Sequence, residues 1–532
     1  MKKIIYSIIL ALAVGLIGCG EDFLDTAPKD ALSPSTFWKT QKDLDLALTG
    51  CYSGFEDGGS LIYRDCGSDN AYNNFPWEGW TNIGNGTASA ADPGASYYNF
   101  TTIHRCNEFI DNCDNATSVS EATRNIYKAQ ARFIRAYQYY QLTINYGDVP
   151  LIEHNFSNPD EAKVPRDPQS KIRSFIEKEL EEIIDILPES YSSDEYGKAT
   201  KGAAQALLMR YYLYFKEYDK ALLTAKSIKG YSLFPSFEGL WNPTNEQNNE
   251  VILSVQYVAD LYSMDYTPYL PNSIGGWSSV VPTQSLVDAY EMADGKTIQE
   301  AELVGEYNSQ NPFVNRDPRL RASIIYPGQV FGGKIYRSIE EGDDDYFNKA
   351  DNASKTGYNF KKYNTFYDLN PNSPYWNMGN DVYIFRYAEV LLTIAEAKVE
   401  LNQIDDELYD AIDQIRTRAG MPRVDRLKYN TQETLRKLVR NERRVEFAME
   451  GLRRDDIIRW DIAKDVMNGD IYGCKKGKVL ETIQPNGDHD VSMMLSPNKI
   501  ETRKFATPKN NLLPIPQSSR DKNPKLSQNP GY

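Results

Sequence analysis

The sequence predicts a mainly α-helical scaffold of helix pairs that carries long loops. Apolar residues recur at spacings of three and four in several separate stretches, which marks amphipathic helices. Within them small Ala alternates with Tyr and Leu, the pattern of tetratricopeptide helix pairs. Between about 230 and 380 the periodicity fades, and Gly, Pro, Asn, Ser and Tyr dominate. Loops that long within a compact domain are functional or disordered, and their aromatic content argues for order.

The elements follow in chain order. Lys2 and Lys3 precede an apolar run from Ile4 to Ile17. As a helix that run would rise ~21 Å, short of the ~30 Å of hydrocarbon a span must cross, so residues 1–18 read as a signal peptide. It ends at Gly18-Cys19 with no Ala-x-Ala cleavage site, which resembles a lipobox in which Cys19 is lipidated; ordinary secretion is the alternative. Residues 19–40, interrupted by Pro28 and Pro34, read as a lipidated tether. A helical region, 41–230, begins with Leu44, Leu48 and Cys51 and resumes at 103–110 after an insertion at 63–100. Ile126, Ala129, Phe133, Ala136, Tyr137 and Tyr140 form the stripe of a further helix, which Gly147 and Pro150 end. Helices are expected over 169–187, 199–215 and 218–228, and again over 385–402 and 405–419 in a second helical region, 381–532. In the loop-rich subdomain between them, 231–380, and at its border, segments 251–255, 334–338 and 381–386 read as short strands.

Composition narrows the function. With 59 Lys and Arg against 74 Asp and Glu the net charge is -15, and no basic block offers a footprint for nucleic acid. Three histidines, His104, His154 and His489, lie far apart and leave little for a zinc site or a histidine-based triad. Beyond Cys19, five cysteines remain, too few for a disulfide scaffold even in an oxidising compartment, and most read as free buried thiols. Tyr is the dominant aromatic, 37 residues against 20 Phe and 7 Trp; its apolar ring and polar tip suit both helix packing and recognition.

Several stretches, in order and spacing, resemble the SusD/RagB family of Bacteroidetes outer-membrane lipoproteins. They are the lipobox with Phe23-Leu24-Asp25-Thr26 and Ser35-Thr36-Phe37-Trp38, then 127–151 and 198–225. The C-terminal half adds 384–392, Ile415 to Gly420, Val439 to Trp460, Leu512 to Pro516 and the closing Asn529-Pro530-Gly531-Tyr532. The resemblance implies a right-handed tetratricopeptide-like superhelix of about four helix pairs with a loop-rich, partly β ligand-binding face. It also implies a cell-surface protein that captures oligosaccharides for a SusC-like TonB-dependent transporter without cleaving them. Glu21 and Asp22, directly after Cys19, are similar to the signal for export to the outer face in such lipoproteins; a solvated linker is the other reading. A peptide-binding importer of the RagB type is the alternative function, and a glycoside hydrolase a more distant one.

The ligand site is expected in the 63–100 insertion, where Tyr72, Phe75, Trp77 and Trp80 lie among Asn, Asp and Gly. Sugars present apolar C–H faces ringed by hydroxyls; indoles stack on the former, while groups such as Arg64, Asp69 and Asn73 pair with the latter. Either Trp could instead pin the loop to the scaffold. Following the family resemblance, Tyr269, Trp277 and Tyr375-Trp376 are added from the middle of the chain; Trp38, Trp241 and Trp460 read as core. No catalytic group is expected. Glu442, Glu446 and Glu450 share a helix face beside Arg443, Arg444, Arg453 and Arg454, which reads as structural ion pairing within the last helix pair. No cofactor is expected. The acidic loop at 340–345 could hold Ca²⁺ through Asp343 and Asp345, because oxygen-rich loops suit hard cations, but it lacks the EF-hand spacing and also reads as a solvated charge run.

Overall fold

A computed structural model describes residues 37–347, 349 and 352–532. The signal peptide, Cys19, Glu21, Asp22 and the tether up to residue 36 therefore lie outside the described residues. Helices α1 (Gln41–Tyr52), α2 (Thr101–Asn112), α3 (Glu121–Tyr146), α4 (Gln169–Ile183), α5 (Lys201–Tyr214) and α6 (Tyr218–Ser227) pack each on the next. The stack continues from α6 directly onto α7 (Tyr387–Glu400), against which both α8 (Asp406–Arg418) and α9 (Gln432–Glu446) pack, although a long loop-rich segment separates α6 from α7 in sequence.

Local chemistry sets these boundaries. The side chains of Thr40, Ser120, Thr200 and Asp405 accept from the first-turn N–H groups of α1, α3, α5 and α8, which otherwise lack partners. Gly147, at φ 70, ends α3 with its N–H on the Thr143 carbonyl. Tyr137, Tyr139, Tyr140 and Tyr211 are buried in the same core as Ala203, Ala206 and Ala395, with their rings against Phe55, Phe175, Tyr214 and Phe215 respectively. Three of these hydroxyls reach partners, Tyr137 on Glu56, Tyr139 on the Ile152 carbonyl and Tyr211 on the Arg173 carbonyl, which offsets the cost of burying a polar tip.

The loop-rich segment is held by short antiparallel pairings. Strand β1 (Ala71–Asn73) pairs with β3 (Val280–Pro282), and β2 (Val251–Val255) pairs with β4 (Val382–Arg386). The strand expected at 334–338 is shorter, Lys334–Ile335. A larger difference lies in the C-terminal region, which was expected to be helical. There β5 (Gly469–Gly473) pairs with β8 (Asn498–Arg503), and β6 (Gly477–Ile483) with β7 (His489–Met493). The five remaining cysteines, Cys51, Cys66, Cys106, Cys113 and Cys474, are free and buried.

The charged motif at 439–460 differs from expectation in its partners. Helix α9 ends at Glu446, so Glu450 lies beyond it, and the ladder is not paired to the adjacent arginines. Its carboxylates meet cations from distant elements: Glu442 meets Arg319 and Arg416, Glu446 meets Arg319, Arg386 and Arg418, and Glu450 meets Arg386 and Lys362. Arg443 binds Asp456 instead, while Arg444 and Arg453 bind Asp69. Burial requires this closure, since a lone carboxylate out of water costs several kcal/mol, on the order of its lost hydration.

Candidate ligand-binding face

The β1–β3 ribbon builds the site. Tyr72 pairs with Val281 and Asn73 with Val280, and the ladder continues one step as the Asn74 N–H donates to the Ser279 carbonyl at 2.8 Å. Trp77 follows the C-terminal end of β1 and Trp277 precedes the N-terminal end of β3, so both indoles leave the same end of the ribbon. Pro76 opens a tight turn over 76–78, and Gly79 reverses the chain at φ 83; a Cβ there would stand 2.9 Å from the Ala95 nitrogen. The turn leaves Trp77 79% exposed, with Phe75 stacked on it at 4.9 Å between centroids. Trp277 is 44% exposed, and its N–H is fixed on the Thr267 carbonyl.

Polar groups lie alongside. Asn73 Nδ2 donates to the Ser279 carbonyl at 3.1 Å and to Glu78 Oε2 at 2.5 Å, so it orients the carboxylate that follows Trp77. Lys355 reaches in from the middle of the chain. Its backbone N–H donates to Asn74 Oδ1, its Nζ to the Asn74 carbonyl at 3.1 Å, and its ammonium lies 5.7 Å from the Tyr72 ring centre. Lys355 was not expected from the sequence, because a lone lysine in a loop carries no signal of the strand it will meet. Tyr375 and Trp376 form the far rim: the Tyr266 N–H donates to the Tyr375 carbonyl, Trp376 is 58% exposed, and the Tyr375 hydroxyl occupies the space a Cβ on Gly275 would need.

The other expected contacts are buried, and each has a physical reason. Trp80 is 5% exposed because the chain reversal at Gly79 turns its indole inward, edge-on to Tyr97 and over Gly67; it pins the loop. Arg64 is buried in an ion pair with Glu56 at 2.9 Å and bonds the Tyr97 hydroxyl. Asp69 receives both forks of Arg453, at 2.8 and 2.9 Å, and Arg444. Burial alone would raise its carboxyl, but those two guanidinium groups hold it well below the usual carboxylate range. Tyr269 packs edge-on to Tyr63 and Phe360 in the core. Tyr72 and Asn73 are buried as strand residues, Tyr72 beneath the Lys355 ammonium and Asn73 as the support of Glu78.

In the acidic loop Asp345 is buried, and its Oδ1 accepts the Ser273 N–H at 2.9 Å. Asp343 Oδ1 accepts the Asp345 N–H, and Asp344 pairs with Lys349. Among the described residues no three His, Cys, Asp or Glu side chains gather as a metal site. Asp345 ties the loop to Ser273, while Asp343 holds the loop's own backbone.

A tetratricopeptide-type helix stack with a loop-built face of exposed indoles defines the class of protein. The comparisons specify it further. Residues 238–532 match the model of the SusD family, and residues 22–213 match a model described as starch-binding, associating with the outer membrane. The chain belongs to the SusD family. It is 25% identical to SusD-like protein P25 of Formosa agariphila over 84% of this chain and 88% of that protein. It is 26% identical to the starch-binding protein SusD of Bacteroides thetaiotaomicron over 81% of this chain and 76% of that protein. The crystal structure of a SusD-like carbohydrate binding protein from Bacteroides fragilis superposes with a TM-score of 0.80 at 29% identity, covering 92% of this chain and all of that one.

Proposed function

We propose that this protein binds glycans at the outer face of the outer membrane, anchored by lipid on Cys19, and delivers them intact to a SusC-like TonB-dependent transporter. The observation that carries the reading is the pair of indoles at one end of the β1–β3 ribbon, Trp77 at 79% and Trp277 at 44% exposure, in a chain that buries its other tryptophans except Trp376. Large apolar side chains left in water beside Glu78, Lys355 and ribbon amides have the composition of a sugar platform: flat rings for C–H faces, polar groups for hydroxyls. The relatives' carbohydrate- and starch-binding names support the substrate class, and the family model's description supports the membrane association. The carboxylate ladder is engaged by buried cations, which supports binding without cleavage. Native gel electrophoresis through starch, laminarin, xylan or galactomannan tests the reading. The protein should be retarded by at least one gel, and the Trp77→Ala/Trp277→Ala double variant should be retarded far less in it. Unchanged retardation of the double variant, or release of reducing ends by the pure protein, sinks the proposal.

A further inference from the structure

We propose that a second binding site, for a neutral oligosaccharide, lies in a tyrosine-lined groove between the C-terminal end of α1, residues 189–198 and strand β2. Two adjoining cavities of about 330 and 420 Å³ share Tyr196, Gly197, Lys198 and Ser254 and form this groove; both fall in the size range of small-ligand sites. None of their lining residues belongs to the β1–β3 ribbon end that carries Trp77 and Trp277.

The lining differs from the tyrosine packing elsewhere in the scaffold. Tyr191, Tyr196 and Tyr231 are half-buried and Tyr262 is 54% exposed, so all four contribute surface to the groove, with Tyr231 also resting on Gly202 of α5. The hydroxyls of Tyr196 and Tyr262 and the side-chain amides of Gln247 and Asn249 make no hydrogen bond to another described residue. They stand ready for hydroxyls of a ligand. Tyr262 is held in place, lying parallel to Tyr257 at 5.3 Å and 6°, with its backbone paired to Val258. Tyr196 is fixed by its neighbour: Gly197, at φ 93, sits so close over Gln256 that a Cβ would come within 2.4 Å of its Oε1.

Charge and backbone select the ligand. The rim charges are paired, Lys198 with Glu195, Glu56 with Arg64 and Glu189 with Lys201, leaving Lys229 at the exposed outer end. An anionic chain therefore gains little along the groove. The β2 residues that line the groove, Val251–Ser254, are each no more than 6% exposed, so little of the strand is offered to an extended peptide. What the groove presents is phenol rings and amides, which match sugar rings and their hydroxyls.

The test counts sites on the intact protein. The polysaccharide gel that retards it, among starch, laminarin, xylan and galactomannan, supplies a tetrasaccharide for calorimetric titration. The native protein should bind two equivalents. The Trp77→Ala/Trp277→Ala variant and the Tyr196→Ala/Tyr262→Ala variant should each bind one. On the polymer, which can engage both sites, losing either should weaken apparent affinity about 100-fold. The Tyr196→Phe/Tyr262→Phe variant keeps the rings and the packing while removing the two free hydroxyls, and its groove affinity should fall about 5-fold or more. One equivalent in the native protein that disappears with the indoles overturns the groove and leaves the indole face standing. One equivalent that disappears with the tyrosines alone does the reverse. Retardation by none of the four gels overturns both.

Discussion

Loss of Arg386 should damage the fold severely. It is 2% exposed and sits among three carboxylates. Its Nη1 donates to Glu250 at 2.8 Å and Glu446 at 2.7 Å, while Nε and Nη2 donate to the two oxygens of Glu450 at 2.8 Å each. The guanidinium also lies 4.7 Å from the Phe447 ring centre. Arg386→Met keeps an apolar stem there but withdraws the charge. Glu446 retains Arg319 and Arg418, and Glu250 retains Arg418, whereas Glu450 keeps Lys362 alone. Breaking a buried pair from one side costs about 3–5 kcal/mol, chiefly the penalty of the charge left behind, and that is the expected loss.

The pH dependence follows from the same geometry. Burial pushes the Glu450 carboxyl up, but Arg386 and then Lys362 outweigh it and hold it below its ordinary value. A carboxyl depressed in the folded state contributes stability that is present above its unfolded value and is lost as pH falls through the folded one. Without Arg386 the burial effect prevails, and Glu450 takes up a proton on folding instead. The deficit of the variant should therefore be largest at neutral and alkaline pH and narrow toward pH 5. Urea unfolding followed by tryptophan fluorescence at pH 7.5 and pH 5 measures both. A loss under about 1 kcal/mol, or a deficit of equal size at the two pH values, would refute the reasoning.

Three further outcomes are expected. Trp80→Ala should cost about 3–5 kcal/mol by opening a cavity under the insertion, whereas Trp77→Ala, in water, should stay within about 0.5 kcal/mol in thermal melts while weakening glycan retardation. Gly79→Ala should lose both stability and retardation, since a side chain at φ 83 collides with the Ala95 backbone and displaces the turn that presents Trp77; wild-type retardation of a folded Ala variant would contradict this. Burial and the nearby Asp381 raise Glu246 to about 7, and burial raises Asp381 to about 6 despite the bonds from Ser254 and Tyr257. The folded state then holds more protons than the unfolded one between about pH 4 and 7, so stability falls as pH rises through that window. Glu246→Gln should melt higher than the native protein at pH 8 and gain least at pH 5; an equal gain at both would argue against the pair.

The helical half of the fold was legible because its signals are local. Gly147 after the apolar stripe of α3 marks an end that backbone chemistry enforces. The C-terminal hairpins were not legible for an equally local reason. β6 leaves Leu480 and Ile483 exposed among Lys478, Glu481 and Thr482, so no alternation of buried and exposed apolar residues announces a strand. The ion pairs of α9 were legible as ion pairs but not by partner, since Arg319, Arg386 and Lys362 come from other parts of the chain.

The site shows where local reading stops. Asn, Asp and Arg among tryptophans have the chemistry of sugar recognition whether they face a ligand or the core, and only partners distant in sequence decide between the two. Glu56 claims Arg64, and Arg453 claims Asp69 from the other end of the chain. Those residues still bear on binding, through rigidity. Asp69 ties the base of β1 to the segment after α9, Asn73 fixes Glu78, and Trp80 anchors the loop beyond Gly79. A flat ring stacks well only when its support does not move, because ordering a mobile loop would be charged against the contact. The buried members of the insertion are therefore the reason Trp77 can stand in water without collapsing onto the surface.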